Sequence, residues 1–253
     1  MFIKGYNNIR NYEKNFKIIK KYINPHDDHW VNSIIFSKNK ILISSSIYDD
    51  KVKIWDIFSK LTQPIQQLNH RAQGLLEWDE NIFISSGYSK TKIWNKIKGQ
   101  LNYQLMNIFQ NIAPYRNNGI KKYDDNSIII GGLNYKFYII NLKTMEVIKK
   151  SFHVSKYDIY SILNLEKYLI LGGEIQYSRE KEEEYQNKKE YHRYLDELEK
   201  GFIHIYKKEG NNKFNLIKKI EHGQKSTVKC IEMIKDNNII FGDNIIPLNE
   251  LIN

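Results

Sequence analysis

Short apolar runs recur along the chain, each closing on small residues. They are ILISS from Ile41, IFISSG from Ile82, SIIIGG from Ser127, YLILGG from Tyr168 and NIIFGD from Asn238. Runs that are apolar on both sides of the alternation predict strands buried on both faces. After each of the first four comes a second stretch: KVKIWD, TKIWNK, FYIINL and FIHIYK. β-Branched and aromatic residues dominate, and Asn, Asp, Gly and Ser punctuate, so the chain reads as short strands throughout.

The pattern is a repeat. Aligned on Trp55, the next matching places are Trp94, 39 residues on, Ile140, 46 further, and Tyr206, 66 further. Removing an insertion of roughly 25 residues brings the last interval back to a period near 40, the length of a four-stranded unit. His26, His70, His153 and His222 precede most units. One such sheet cannot bury both its faces, whereas stacked twisted blades can. The expected first blade uses Val31–Phe36, Ile41–Ser46, Val52–Trp55 and Ile65–Leu68. The fifth, from Thr227, lacks an outer strand. The alternating segment NFKIIKKY, residues 15–22, is the candidate to complete it and close the ring.

The first unit, HDDHWVNSIIFSKNKILISSSIYDDKVKIWD, resembles the WD-repeat β-propeller family through His26, Val31, Phe36, Ser46, Asp49, Trp55 and Asp56. Pro25 stands where the family has Gly, and His26 lies one residue too far from Val31. The resemblance implies an all-β WD-repeat propeller of about five four-stranded blades, a single domain over residues 1–253. It further implies a buried hydrogen-bond chain joining His26, a serine among Ser44 to Ser46, Asp49 and Trp55. In the second unit the Asp place holds Tyr88, so that chain must be incomplete there. The family more often has seven blades, so an open or partner-completed propeller is the other architecture.

Residues 174–200, from Glu174 to Lys200, break the strand pattern. Nine acids against six bases leave −3 there and +13 in the remainder. Tyr191, Tyr194, Leu195 and Leu198 fall at i, i+3, i+4 and i+7, one face of a helix. This predicts a charged helical insertion in the fourth blade, carrying a partner-docking face.

Composition narrows the function. The net charge of +10 comes with abundant Lys, Asn, Ile and Tyr, and the lysines look dispersed in sequence. A single cysteine, Cys230, forbids an intrachain disulfide and suits a reducing compartment. Its alternating surroundings predict a buried, inert thiol. The start, MFIKGYNNIR, lacks the apolar run of a secretory signal, and no stretch of about 18 apolar residues could span a membrane. A cytoplasmic protein is expected, with the nucleus as the alternative. No Gly-rich phosphate loop, His-Glu-x-x-His or paired-Cys motif is present, so no catalytic residue, cofactor, metal or small-molecule substrate is assigned.

The expectation is therefore a non-enzymatic scaffold or adaptor that binds proteins in an intracellular complex. An RNA- or ribonucleoprotein-associated propeller is the alternative, resting on the +13 and on exposed tyrosines. Aromatic residues and arginine anchor interfaces. Near the strand-entry loops these are Trp30, Tyr48, Arg71, Tyr88, Arg116 and Tyr135, joined by Tyr191, Tyr194, Leu195 and Leu198 of the insertion.

Overall fold

The computed structural model describes all residues except 1, 6–7, 13–17, 24, 38–40, 88, 113–118, 133–135, 152–156, 176–200, 211–212, 222–227, 235–236, 242–243 and 253. The described strands form four four-stranded and two three-stranded sheets, each with its strands in chain order. The chain divides into two compact units, Met1–Ala113 and Pro114–Asn253.

The first unit holds three sheets. The N-terminal one joins β1 (Phe2–Gly5), β2 (Asn8–Tyr12) and β3 (Ile18–Ile23). The next joins β4 (Ser33–Phe36), β5 (Ile41–Ser45), β6 (Lys51–Asp56) and β7 (Gln66–Asn69). The third joins β8 (Gly74–Glu77), β9 (Ile82–Gly87), β10 (Lys90–Lys96) and β11 (Tyr103–Gln110). Inner strand β5 is buried at every residue, whereas outer strand β11 is largely open to solvent. That is why inner runs hold only apolar and small residues and outer ones mix in larger polar residues. Ile43, Ile54, Leu75 and Phe83 pack the second and third sheets into one cluster. Tyr22 of β3 packs on Trp55 with ring centroids 4.8 Å apart.

The second unit repeats the arrangement. One sheet joins β12 (Ile120–Lys122), β13 (Ser127–Gly131), β14 (Phe137–Asn141) and β15 (Glu146–Ser151). Another joins β16 (Tyr157–Asn164), β17 (Tyr168–Ile175), β18 (Gly201–Glu209) and β19 (Lys213–Glu221). The last joins β20 (Ile231–Ile234), β21 (Asn238–Phe241) and β22 (Asn244–Pro247), followed by α1 (Leu248–Ile252). Register shifts mark the repeat: they fall at Ile93/Trp94, Ile139/Ile140 and Ile205/Tyr206, each at the place aligned with Trp55. The glycines that close the apolar runs sit where a neighbour comes close, side chains at Gly131 and Gly172 and backbone at Gly173. A Cβ on Gly173 would lie 1.8 Å from the Asp158 carbonyl oxygen.

Several expectations change. Among the described residues there are six sheets where about five were expected, because the N-terminus builds one of its own. The described strand of this segment, Ile18–Ile23, has Asn8–Tyr12 as its partner. Glu174 and Ile175 belong to β17, and the rest of the 174–200 insertion lies outside the described residues. Cys230 is exposed, because β20 begins one residue after it. Its thiol is raised above the ordinary range by partial desolvation and then by Glu232, which disfavours the reactive thiolate.

Candidate functional site

The first unit's loops are pinned from below by a buried polar chain. In the β4–β7 sheet, Trp55 Nε1–H donates to Ser44 Oγ at 2.8 Å. The Ser44 hydroxyl lies 2.8 Å from His26 Nε2, and His26 Nδ1–H donates to Asp49 Oδ2 at 2.6 Å. This is the chain expected from the family resemblance, with Ser44 as its serine. Lys53, only 4% exposed, extends it, lying 3.3 Å from Asp49 and 3.1 Å from Asp27. Burial pushes the Asp49 carboxyl up, but His26, the Lys51 N–H and Lys53 outweigh it and hold the group below its ordinary range. The chain fixes two loops, residues 26–32 and 46–50. Asp27, Asp28 and Asp50 take left-handed backbone there, at φ 49°, 64° and 56°. Asp tolerates that conformation better than most residues.

Two expected interaction residues stand on these loops, and a third, Arg71, reaches the second of them. Trp30 and Tyr48 are 52% and 51% exposed, with rings edge to face at 6.1 Å. His29 lies 5.8 Å from the Tyr48 ring. Arg71 donates from Nε to the Ile47 carbonyl at 2.7 Å and pairs with Asp50 at 3.4 Å. Trp30, Tyr48 and Arg71 are therefore brought together. Tyr88, Arg116, Tyr135, Tyr191, Tyr194, Leu195 and Leu198 lie outside the described residues.

The β8–β11 sheet repeats the chain in part. Trp94 Nε1–H donates to Ser85 Oγ at 2.7 Å, and Ser85 Oγ lies 2.5 Å from His70 Nδ1. Among the described residues the chain stops at the ring. The β9–β10 hairpin is also tighter, with two residues between the paired Gly87 and Lys90. Four residues separate Ser46 and Lys51, which share a backbone hydrogen bond in the corresponding turn of the β4–β7 sheet. Gly87 is needed because the 71–73 backbone passes over it: a Cβ would lie 2.3 Å from the Arg71 oxygen.

His70 is 5% exposed, and its Nε2 has no hydrogen-bond partner among the described residues. The Lys90 carbonyl favours a proton on the ring, but burial, Lys92 and Lys90 charge prevail and lower its pKa to about 4. The ring faces a cleft of about 690 Å³ shared by Asp49, Asp50 and Lys51 with Lys90 and Lys92. Sequence reasoning missed His29, Lys90 and Lys92 as members of this surface. The signal was available in register, since Lys53 and Lys92 both stand two residues before the Trp place.

No family model matches the chain, and no curated protein matches it. Among solved structures it is similar to a chain in the crystal structure of a mitotic checkpoint complex. The TM-score is 0.69 at 12% identity, covering 95% of this chain and 69% of that one. At that identity the likeness shows the fold alone.

Proposed function

We propose that the chain is a WD-repeat-type propeller acting as a non-enzymatic interaction platform within a multiprotein assembly. The observation that carries this is the rigid display of Trp30 and Tyr48, half exposed, above a buried hydrogen-bonded chain. Large aromatics held in place lose little freedom when a partner covers them. The likeness to a chain of a mitotic checkpoint complex supports the same reading. Among the described residues no three His, Cys, Asp or Glu side chains gather to hold a metal, and no helix is long and apolar enough to cross a membrane. By its place in the repeat Tyr88 would extend the face, and Arg116, Tyr135 and the 174–200 insertion would be further contact points for partners.

The RNA alternative asks for basic residues beside aromatics, and Lys51, Arg71, Lys90 and Lys92 do line one cleft. The exposed aromatics Trp30 and Tyr48, however, stand on loops that carry four aspartates, Asp27, Asp28, Asp49 and Asp50, where stacked bases would bring their phosphates. The protein reading is therefore preferred. Its test is affinity purification from the native cells with the intact chain and with Trp30→Ala/Tyr48→Ala. Loss of specific partners at an unchanged thermal midpoint is expected. Undiminished recovery would overturn the reading.

A further inference from the structure

The two chain-bearing sheets differ in their acids and keep their bases. In the β4–β7 sheet, Asp49 sits on the histidine and the lysine two places before Trp55. In the β8–β11 sheet, the corresponding histidine and lysine are His70 and Lys92, and the Asp place is Tyr88 in sequence. The residue after the histidine changes from Asp27 to Arg71. Both acids of the first cluster are thus lost from the second. Lys92 donates to the Asn69 carbonyl at 2.8 Å, and no described carboxylate pairs with Lys90 or Lys92.

We propose that the cleft beside His70 is a socket for a carboxylate side chain, an Asp or Glu in an acidic segment of a partner protein. The incoming carboxylate occupies, against His70 and Lys92, the place that Asp49 occupies against His26 and Lys53. This deepens the platform reading and rests on it for the existence of a protein partner.

Proton placement favours the same occupant. Ser85 Oγ accepts from Trp94, so its own hydroxyl proton is free to go to His70 Nδ1. The neutral ring then carries its proton on Nε2, a buried donor beside the Lys90 carbonyl that makes no full hydrogen bond among the described residues. A buried donor without a partner is costly, and a carboxylate flanked by ammonium groups is the strongest acceptor to supply. Asp49 and Asp50 also line the cleft, but Asp49 is engaged by His26 and Lys53, and Asp50 by Arg71. The remaining cations, Lys51, Lys90 and Lys92, leave the opening positive.

The test uses the full chain and three probes: a capped Glu-rich octapeptide, the same peptide with Gln for every Glu, and inorganic phosphate. Binding is followed calorimetrically and through the His70 imidazole signals by NMR. The Glu peptide should move the His70 signals and bind at least tenfold more tightly than its Gln counterpart. Lys92→Gln should weaken it about tenfold, with Lys90→Gln as a second variant less exposed to folding effects. Equal binding of the two peptides, or His70 signals that stay still, would overturn the socket. Tighter binding of phosphate than of the Glu peptide would overturn it in favour of a phosphate-bearing ligand. If the socket fails while recovery still depends on Trp30 and Tyr48, only the partner's chemistry was misassigned.

Discussion

The β4–β7 and β8–β11 sheets carry the same tryptophan–serine–histidine chain and end it differently. In one, Asp49 closes the chain and a buried lysine, Lys53, neutralises it. In the other, the chain ends at His70 Nε2. The shared part is structural, since it satisfies an indole, a hydroxyl and an imidazole inside the protein. The missing part leaves a donor and cations facing a cleft. A repeat that loses one member of a buried network loses stability at that point and gains a place where a partner can restore it.

The largest effect should come from the shared element. Trp55→Ala and Trp94→Ala should each cost about 3–5 kcal/mol, as for other buried large aromatics. Both indoles are nearly inaccessible, at 2% and 5% exposed. An unmoved denaturant midpoint for either would break the equivalence of the two sheets.

Opening the closed chain comes next. Asp49→Ala leaves Lys53 buried without its buried counter-ion and His26 without an acceptor, at a cost of about 3 kcal/mol. Its loss should be read by chemical denaturation. A change under about 0.5 kcal/mol, in the range of a surface ion pair, would mean the first chain is no more closed than the second.

Acid should act on the open chain. Burial lowers His70, and separately His204, from an ordinary value near 6.5 to about 4. Such a group binds more protons unfolded than folded in this window. Its contribution is fully present above about pH 6.5 and fades as pH falls toward 4, by at most about 3 kcal/mol for each histidine. Denaturant midpoints measured from pH 7 to 4 should fall, and His70→Gln should flatten part of that slope. A slope unchanged by the substitution would place the acid sensitivity elsewhere.

What could be read from the sequence follows from how local each signal is. Strand β5 was legible because a central strand buried on both faces carries a continuous apolar run, here Ile41–Ile43, closed by small residues. The chain joining His26, Asp49 and Trp55 was legible only through the resemblance of the first unit to a known repeat, which left its serine open among Ser44 to Ser46, and Tyr88 announced the gap in the next unit. The N-terminal sheet was missed because FIKG and NIRNY are short and mixed, and their pairing with Ile18–Ile23 is a tertiary choice. Cys230 was misjudged because alternation does not say where a strand starts. The basic cleft was hidden because Lys51, Arg71, Lys90 and Lys92 are scattered over 42 residues and meet only when two hairpins fold side by side.

The most direct test of a closed chain beside an open one is the tautomer of each histidine, read from ring nitrogen shifts by ¹⁵N NMR at neutral pH. His26 should carry a proton on Nδ1, donated to Asp49. His70 should be the opposite tautomer, with its proton on Nε2 and Nδ1 accepting from Ser85. A His70 protonated on Nδ1 would turn an acceptor toward the cleft and contradict the account, because a carboxylate would then meet a lone pair in place of a donor.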